Sequence, residues 1–195
     1  MEDIITLVGP RATGKSTVGR ELAKKLGYEY IELDAVMNHE LKSDGGVFGY
    51  ATKYGWDKYM TKLHERLVSM FGTLKDKKAI LDLGGGAIAA PEFPEAKLNA
   101  DLVSKHSKIL ILLPTENDDE NIKIFFEREK NRCKTNPQYY ATKWPEEMLF
   151  KKVAEDYYNR VPILKKYANH HIYARELNPT QIVDLIERTI LKDSK

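Results

Sequence analysis

The amino-acid sequence predicts an α/β fold, a parallel sheet with helices on both faces. Two observations carry that reading. Short apolar, β-branched runs alternate with stretches of helical periodicity along the chain, as strands joined by helical crossovers do. The first such run leads at once into Gly9-Pro10-Arg11-Ala12-Thr13-Gly14-Lys15-Ser16 and then into a helical stretch. That spacing, G-x-x-x-x-G-K-[ST], is the one that cradles phosphate. A chain of this length meets it by accident roughly once in a hundred.

The elements follow in order. Residues 3–8, centred on Ile4-Ile5-Thr6-Leu7-Val8, read as a buried strand. A helix over 15–26 follows, because Val18, Leu22 and Leu26 recur at helical spacing and Gly27 can close it in a left-handed conformation. Further strands are expected at 28–33, 78–83, 107–113 and about 169–174, the last including His170 and His171. Helical patterns cover roughly 56–74, 118–132, 145–168 and 179–192. Pro162 is expected to kink or restart the helix it interrupts. Asn178 and Pro179 suit the cap and first position of the last helix. The segment 114–145 is polar and lysine-rich, broken by Pro137 and Pro145, and reads as a mobile insert over the carboxyl edge of the sheet. With no repeat, low-complexity tract or linker, one domain is expected over 1–195.

Composition narrows the function classes. A chain of 195 residues can bury a real core, and its formal charge of +2 gives no strong pull toward nucleic acid or membrane. The N-terminus enters a strand almost immediately, leaving no room for a signal peptide, and no apolar run reaches spanning length. The single cysteine, Cys133, excludes an internal disulfide framework and a multi-cysteine metal site, and the five histidines have no metal-ligand spacing with it. A soluble cytoplasmic monomer acting on a small molecule, without nucleic acid or membrane partners, is the expectation.

The phosphate loop explains its own residues. Gly9 and Gly14 let the backbone curl so that N–H groups converge on phosphate oxygens, and the following helix adds its positive end. Arg11, Ala12, Thr13, Gly14, Lys15, Ser16 and Thr17 are thus the expected cradle for ATP, with Lys15 on the β- and γ-phosphates and Ser16 on Mg²⁺. Arg11 is equally readable as a phosphate contact or as a solvated arginine.

Three features bear on the phosphoryl acceptor. Glu32 and Asp34 stand two apart at the end of the second strand, so strand geometry puts both carboxylates on one side. One would hold Mg²⁺ through water while the other positions the attacking hydroxyl; alternatively, Asp34 merely caps a helix starting at Ala35. Gly84, Gly85 and Gly86 follow an apolar strand that closes on Asp82, and they allow a ligand close to the backbone. Asp82 suits water-mediated Mg²⁺ binding, giving Ser16, Glu32 and Asp82 as the metal set. Last, Arg160, with Arg128 and Arg132 in the insert, would clamp an anion or neutralise charge, although each alone also fits a solvated surface position. The aromatics Tyr139, Tyr140, Trp144, Phe150, Tyr157 and Tyr158 read as packing residues rather than base-stacking platforms. A small-molecule kinase, a nucleoside or nucleotide kinase and a non-catalytic nucleotide-binding module all start from these features. Asp82-Leu83-Gly84-Gly85 matches D-x-x-G, but no N-K-x-D guanine motif occurs.

On these residues the sequence resembles the shikimate kinases over nearly its whole length. The resemblance rests on Gly9–Ser16, Glu32-Leu33-Asp34, the triple glycine with Ala87-Ile88 and Pro91, Arg160-Val161-Pro162, and Asn178-Pro179-Thr180-Gln181-Ile182-Val183. It implies a three-layer P-loop kinase fold with a five-stranded parallel sheet and a lid, and an ATP- and Mg²⁺-dependent kinase of aromatic amino acid biosynthesis. It further implies that Asp34 contacts acceptor hydroxyls, that the triple glycine offers backbone donors and that Arg160 grips the acceptor carboxylate. Arg128 or Arg132 would close over the phosphates as catalytic lid arginines, and the backbone from Arg175 to Pro179 would border the adenine. Two departures stand out. Glu32 replaces the usual aspartate. Met60 replaces the arginine of the family's Gly-Glu-x-x-Phe-Arg pattern, with Lys58 and Lys62 as the nearby cations.

Overall fold

The structure, a computed structural model, describes residues 4–136, 139 and 141–192. Pro137 and Tyr140 therefore lie outside the described residues. Five parallel strands, β1 (Ile4–Val8), β2 (Glu29–Glu32), β3 (Ala79–Asp82), β4 (Lys108–Leu113) and β5 (His170–Tyr173), form one sheet in the order β2-β3-β1-β4-β5. Strand alternation sorts the side chains onto two faces. Ile5 and Leu7 of β1 with Leu110 and Leu112 of β4 meet one core, while Val8, Ile109, Ile111 and Leu113 meet the other.

The first core is covered by α1 (Lys15–Leu26) and α8 (Pro179–Lys192), through Val18, Leu22, Ile182 and Ile186. Both ends foreseen in the sequence form. Gly27 takes a left-handed conformation (φ 69°) that closes α1, and Asn178 Oδ1 accepts from Gln181 N at 3.0 Å while Gln181 Oε1 accepts from Asn178 N at 2.9 Å. This reciprocal cap stabilises the helix start by about 1 kcal/mol.

On the opposite face lie α2 (Leu33–Glu40), α3 (Gly46–Tyr54), α4 (Trp56–Thr73), α5 (Pro94–His106), α6 (Asp118–Thr135) and α7 (Glu146–Tyr167). The sequence did not reveal α3 or α5. The 114–145 insert contains α6, whose start is fixed by Asn117, accepting from Glu120 N at 2.9 Å. Asp118 then binds α7 twice, accepting from Tyr157 Oη at 2.6 Å and Lys165 Nζ at 2.7 Å. Pro162 neither ends nor restarts α7, which runs through it to Tyr167. The helix tolerates the lost hydrogen bond because the orphaned carbonyl belongs to Tyr158, which is solvent-exposed and can bond water.

Candidate active site

The phosphate side is built locally. β1 ends at Val8, and the chain turns back through Gly9 (φ 152°), Ala12 (φ 63°) and Gly14 (φ 90°) before α1 begins. Gly9 is obligatory for a second reason: a β-carbon there would stand 2.7 Å from the Leu112 carbonyl oxygen. No side chain caps α1, so its first N–H groups are left for an anion. Thr13 Oγ1 donates to Pro10 O at 3.1 Å and steadies the loop. Lys15 Nζ folds back onto Gly9 O at 3.1 Å and Pro10 O at 3.0 Å. Burial pushes the Lys15 ammonium below its ordinary value, opposed by Asp82 and Asp34 and aided by Arg11 and Arg132. A phosphate would supply the charge that these carbonyls cannot. Thr17 is exposed on the first turn of α1.

Beside the loop, Ser16 Oγ donates to Asp82 Oδ2 at 2.7 Å, and Tyr30 Oη donates to the same oxygen at 3.0 Å. Asp82 is buried, and both hydrogen-bond partners are neutral hydroxyls. A buried carboxylate solvated this way, next to a loop hydroxyl, fits a hard divalent cation that keeps waters and phosphate oxygens as its other ligands. Glu32 is engaged by a cation instead, pairing with Arg20 at 2.6 Å, with the Tyr30 hydroxyl 3.4 Å from the same oxygen. Among the described residues no cluster of three or more His, Cys, Asp or Glu forms a protein-only metal cage.

The acceptor side corrects one expectation. β2 stops at Glu32, and Asp34 lies in the first turn of α2, so strand alternation does not relate the two carboxylates. Nor does Asp34 cap the helix, because no side chain caps α2. Its carboxylate instead sits against the glycine turn: a β-carbon at Gly84 would stand 2.8 Å from both of its oxygens. Asp34 is exposed as a residue, and desolvation of its carboxylate beside the glycine turn raises its pKa. Lys15 and Arg11 oppose this rise, and Asp82 and Glu32 add to it.

None of the three glycines owes its identity to a left-handed conformation. Close approach explains two of them. Gly84 faces Asp34, and a β-carbon at Gly85 would come 3.2 Å from Gly9 O. At Gly86 it would stand 3.8 Å from Arg160 Nη1. Arg160, half-buried on α7, has Asp156 one turn earlier on the same helix as a loose ion-pair partner at 3.6 Å. Met60 is buried in the core, Lys58 is exposed and Lys62 is half-buried. Tyr59 is buried edge-on against Trp56, and burial together with the Asp34 carboxylate raises its phenol.

The lid arginines approach from α6. Arg128 Nη1 donates to Ala12 O at 2.9 Å, and burial lowers its pKa. Arg132 pairs with Glu129 at 2.9 Å. Glu129 is 5% exposed and also accepts from Tyr139 Oη, which in turn accepts from Arg11 Nη1 at 2.8 Å. Loop and insert are therefore joined directly, through Arg128 on Ala12 and Arg11 on Tyr139, and the buried Glu129 holds the insert's side of the second contact. Arg175 pairs with Glu120 of α6 and lines an open groove of about 400 Å³ with Lys123, Ile124 and Arg128. Sequence reading missed Glu129 and Tyr30. Each left a signal: Glu129 precedes Arg132 by three in a helix, and Tyr30 precedes Glu32 by two in a strand.

A phosphate loop with an unquenched lysine, facing a carboxylate across a glycine turn, defines a P-loop small-molecule kinase. Known proteins agree and narrow the class. The shikimate kinase family model matches residues 11–191. Shikimate kinase of Actinobacillus pleuropneumoniae is 30% identical over 186 residues, spanning 94% of this chain and 95% of the relative. Shikimate kinase 2 of Yersinia enterocolitica is 28% identical across 100% of this chain and 99% of its own length. In structure, the shikimate kinase from Acinetobacter baumannii, solved in complex with shikimate, superposes with a TM-score of 0.71 at 23% identity, covering 99% of this chain and 95% of that one. The chain belongs to the shikimate kinase family. It is an ATP-dependent phosphotransferase with an alcohol acceptor, which sets aside the switch-module alternative, and family membership favours shikimate over a nucleoside as the acceptor.

Proposed function

We propose that this chain, as a single-domain monomer, transfers the γ-phosphoryl group of ATP to a hydroxyl of shikimate. One observation supports this most: the Gly84–Gly86 turn lies against Asp34, Gly9 and Arg160 in succession. Hydroxyl-, phosphate- and carboxylate-binding groups thus border one turn, a chemistry that suits a compact carboxylated polyol. The A. baumannii relative's shikimate complex is in keeping with that reading.

In this mechanism Asp34 orients the acceptor hydroxyl and takes its proton as the oxygen attacks the γ-phosphorus. Its raised pKa suits the task, since a stronger base holds the proton better. The bond from the γ-phosphorus to the bridging oxygen breaks and ADP leaves. Lys15, with Arg132 and Arg128 on the lid, offsets the charge spread over the equatorial oxygens. Arg11, Ala12, Thr13, Gly14 and Thr17 line the phosphates, and Arg175 borders the adenine end. Ser16, and through water Asp82 with Glu32 behind it, would hold Mg²⁺, which would supply charge neutralisation to the phosphates. The segment 114–145 acts as the lid. With Met60 buried, Arg160 is the guanidinium that grips the acceptor carboxylate.

Incubation with ATP and Mg²⁺ against shikimate, gluconate and deoxyadenosine tests the reading. ADP release and a phosphorylated product are expected with shikimate. Turnover confined to either other acceptor contradicts it.

A further inference from the structure

Asn99 is fully buried on the face of α5 that also carries Ala96, Ala100 and Val103. An amide in so apolar a seam is stable only if its polar atoms are satisfied. Both ends are. Asn99 Nδ2 donates to the Ala87 carbonyl at 2.9 Å, and Asn99 Oδ1 lies 2.8 Å from His64 Nδ1 on α4. Ala87 closes the glycine turn, its N–H donating to Gly84 O at 3.0 Å.

The polarity of this chain of contacts is determined. The Ala87 carbonyl can only accept, so the Asn99 nitrogen faces it and the oxygen faces the imidazole. His64 must then carry a hydrogen on Nδ1, and by satisfying the amide oxygen it holds the amide in that orientation. The turn held in this way is the backbone between Asp34 and Arg160. These side-chain hydrogen bonds of Asn99 and His64 run to each other and to Ala87, on the acceptor side of the cleft.

We infer that Asn99, oriented by His64, is a positioning residue for the acceptor half of the site: it sets the glycine turn against Asp34 and Arg160. Three glycines in sequence give the turn little rigidity of its own, so the carbonyl anchor at its far end supplies it. The inference rests on the family-type kinase reading. It concerns whichever acceptor the wild-type protein phosphorylates, so a wrong acceptor shows in the wild-type assay and a wrong positioning role only in the variants.

The test compares Asn99→Ala, His64→Leu and His64→Asn in steady-state kinetics with ATP and shikimate, or with another acceptor if the wild type selects one. Asparagine places its Nδ2 where the imidazole has Nδ1, so it keeps the donor that leucine lacks. Asn99→Ala should raise the acceptor KM about tenfold, and His64→Leu about three- to tenfold, with KM for ATP changed less than twofold. His64→Asn should return the acceptor KM to within about twofold of wild type. Should Asn99→Ala fail to fold, the two His64 variants decide. Equal rises in both KM values, an unmoved acceptor KM in folded His64→Leu, or no difference between leucine and asparagine each overturns the inference.

Discussion

The two halves of the cleft are built in opposite ways. The phosphate half is a continuous stretch, Gly9 to Ser16, shaped by its own backbone angles and by the start of α1. The proposed acceptor half takes Asp34 from α2, Gly84–Gly86 from the loop after β3 and Arg160 from α7, brought together by packing. The backbone cradle for a phosphate that every nucleotide shares is set by local geometry, although Asp82 and the arginines of α6 reach it through packing. Choosing an acceptor depends on tertiary placement, so substitutions should divide along the same line.

The largest expected effect is at Lys15. Lys15→Ala should lower kcat/KM on the order of 10²-fold or more while circular dichroism stays native. Near-normal turnover would remove the phosphate half from the account. Asp34→Asn should lower kcat about 10²- to 10⁴-fold and leave KM for ATP unchanged. An ATP-affinity collapse instead would move Asp34 to the phosphate half.

Asp34 also makes a linked prediction about pH. Its carboxyl pKa is raised in the folded protein, so its ionisation opposes folding. That penalty is absent below the ordinary carboxylate pKa and grows as pH rises through the raised folded value. At neutral pH, Asp34→Asn should therefore raise Tm while lowering activity, and the Tm difference should vanish on acidification. A lower Tm at neutral pH would show that the cleft favours the charged carboxylate. Wild-type kcat/KM should begin to fall on acidification at a higher pH than an ordinary aspartate would give.

Smaller effects sharpen the boundary. Glu129→Gln keeps the shape but removes the charge that faces Arg132 and Tyr139. KM for ATP should rise roughly tenfold, in line with about 1.5 kcal/mol for a hydrogen bond to a charged group. The acceptor KM should move less than twofold; a larger acceptor effect would mean that the latch belongs to both halves. The smallest effect is at Ala12, whose φ of 63° is unfavourable for a residue with a β-carbon. Ala12→Gly should raise the unfolding free energy by at most about 1 kcal/mol, measured by denaturant titration, because glycine's larger unfolded-state entropy offsets part of the relief.

What the sequence made legible follows the same division. The phosphate loop, the five strands, Gly27 and Asn178 could be read because each depends on neighbours within a few residues. The helix α5 was hidden because its buried face is Ala96, Asn99, Ala100 and Val103, small or polar residues that give a weak apolar stripe. The helix α3 carries Gly46 and Gly49, which depress local helix propensity and conceal it. Position after β2 left open which of Glu32 and Asp34 served the acceptor, the family resemblance pointed to Asp34, and the helical setting of Asp34 came from packing. The Glu129–Tyr139–Arg11 latch spans 128 residues, a pairing no local pattern reports.

The central claim is that a carboxylated acceptor is gripped by Arg160, without help from the position Met60 occupies. The direct measurement is KM for shikimate and for its carboxamide, in wild type and in Arg160→Ala. Losing one partner of a buried charge pair costs about 2–5 kcal/mol, roughly 30- to several-thousand-fold. The wild type should prefer the carboxylate by a factor in that range, and Arg160→Ala should abolish the preference while changing KM for ATP only a few-fold. A preference that survives in Arg160→Ala, or a large ATP defect with the acceptor KM unmoved, would contradict the account.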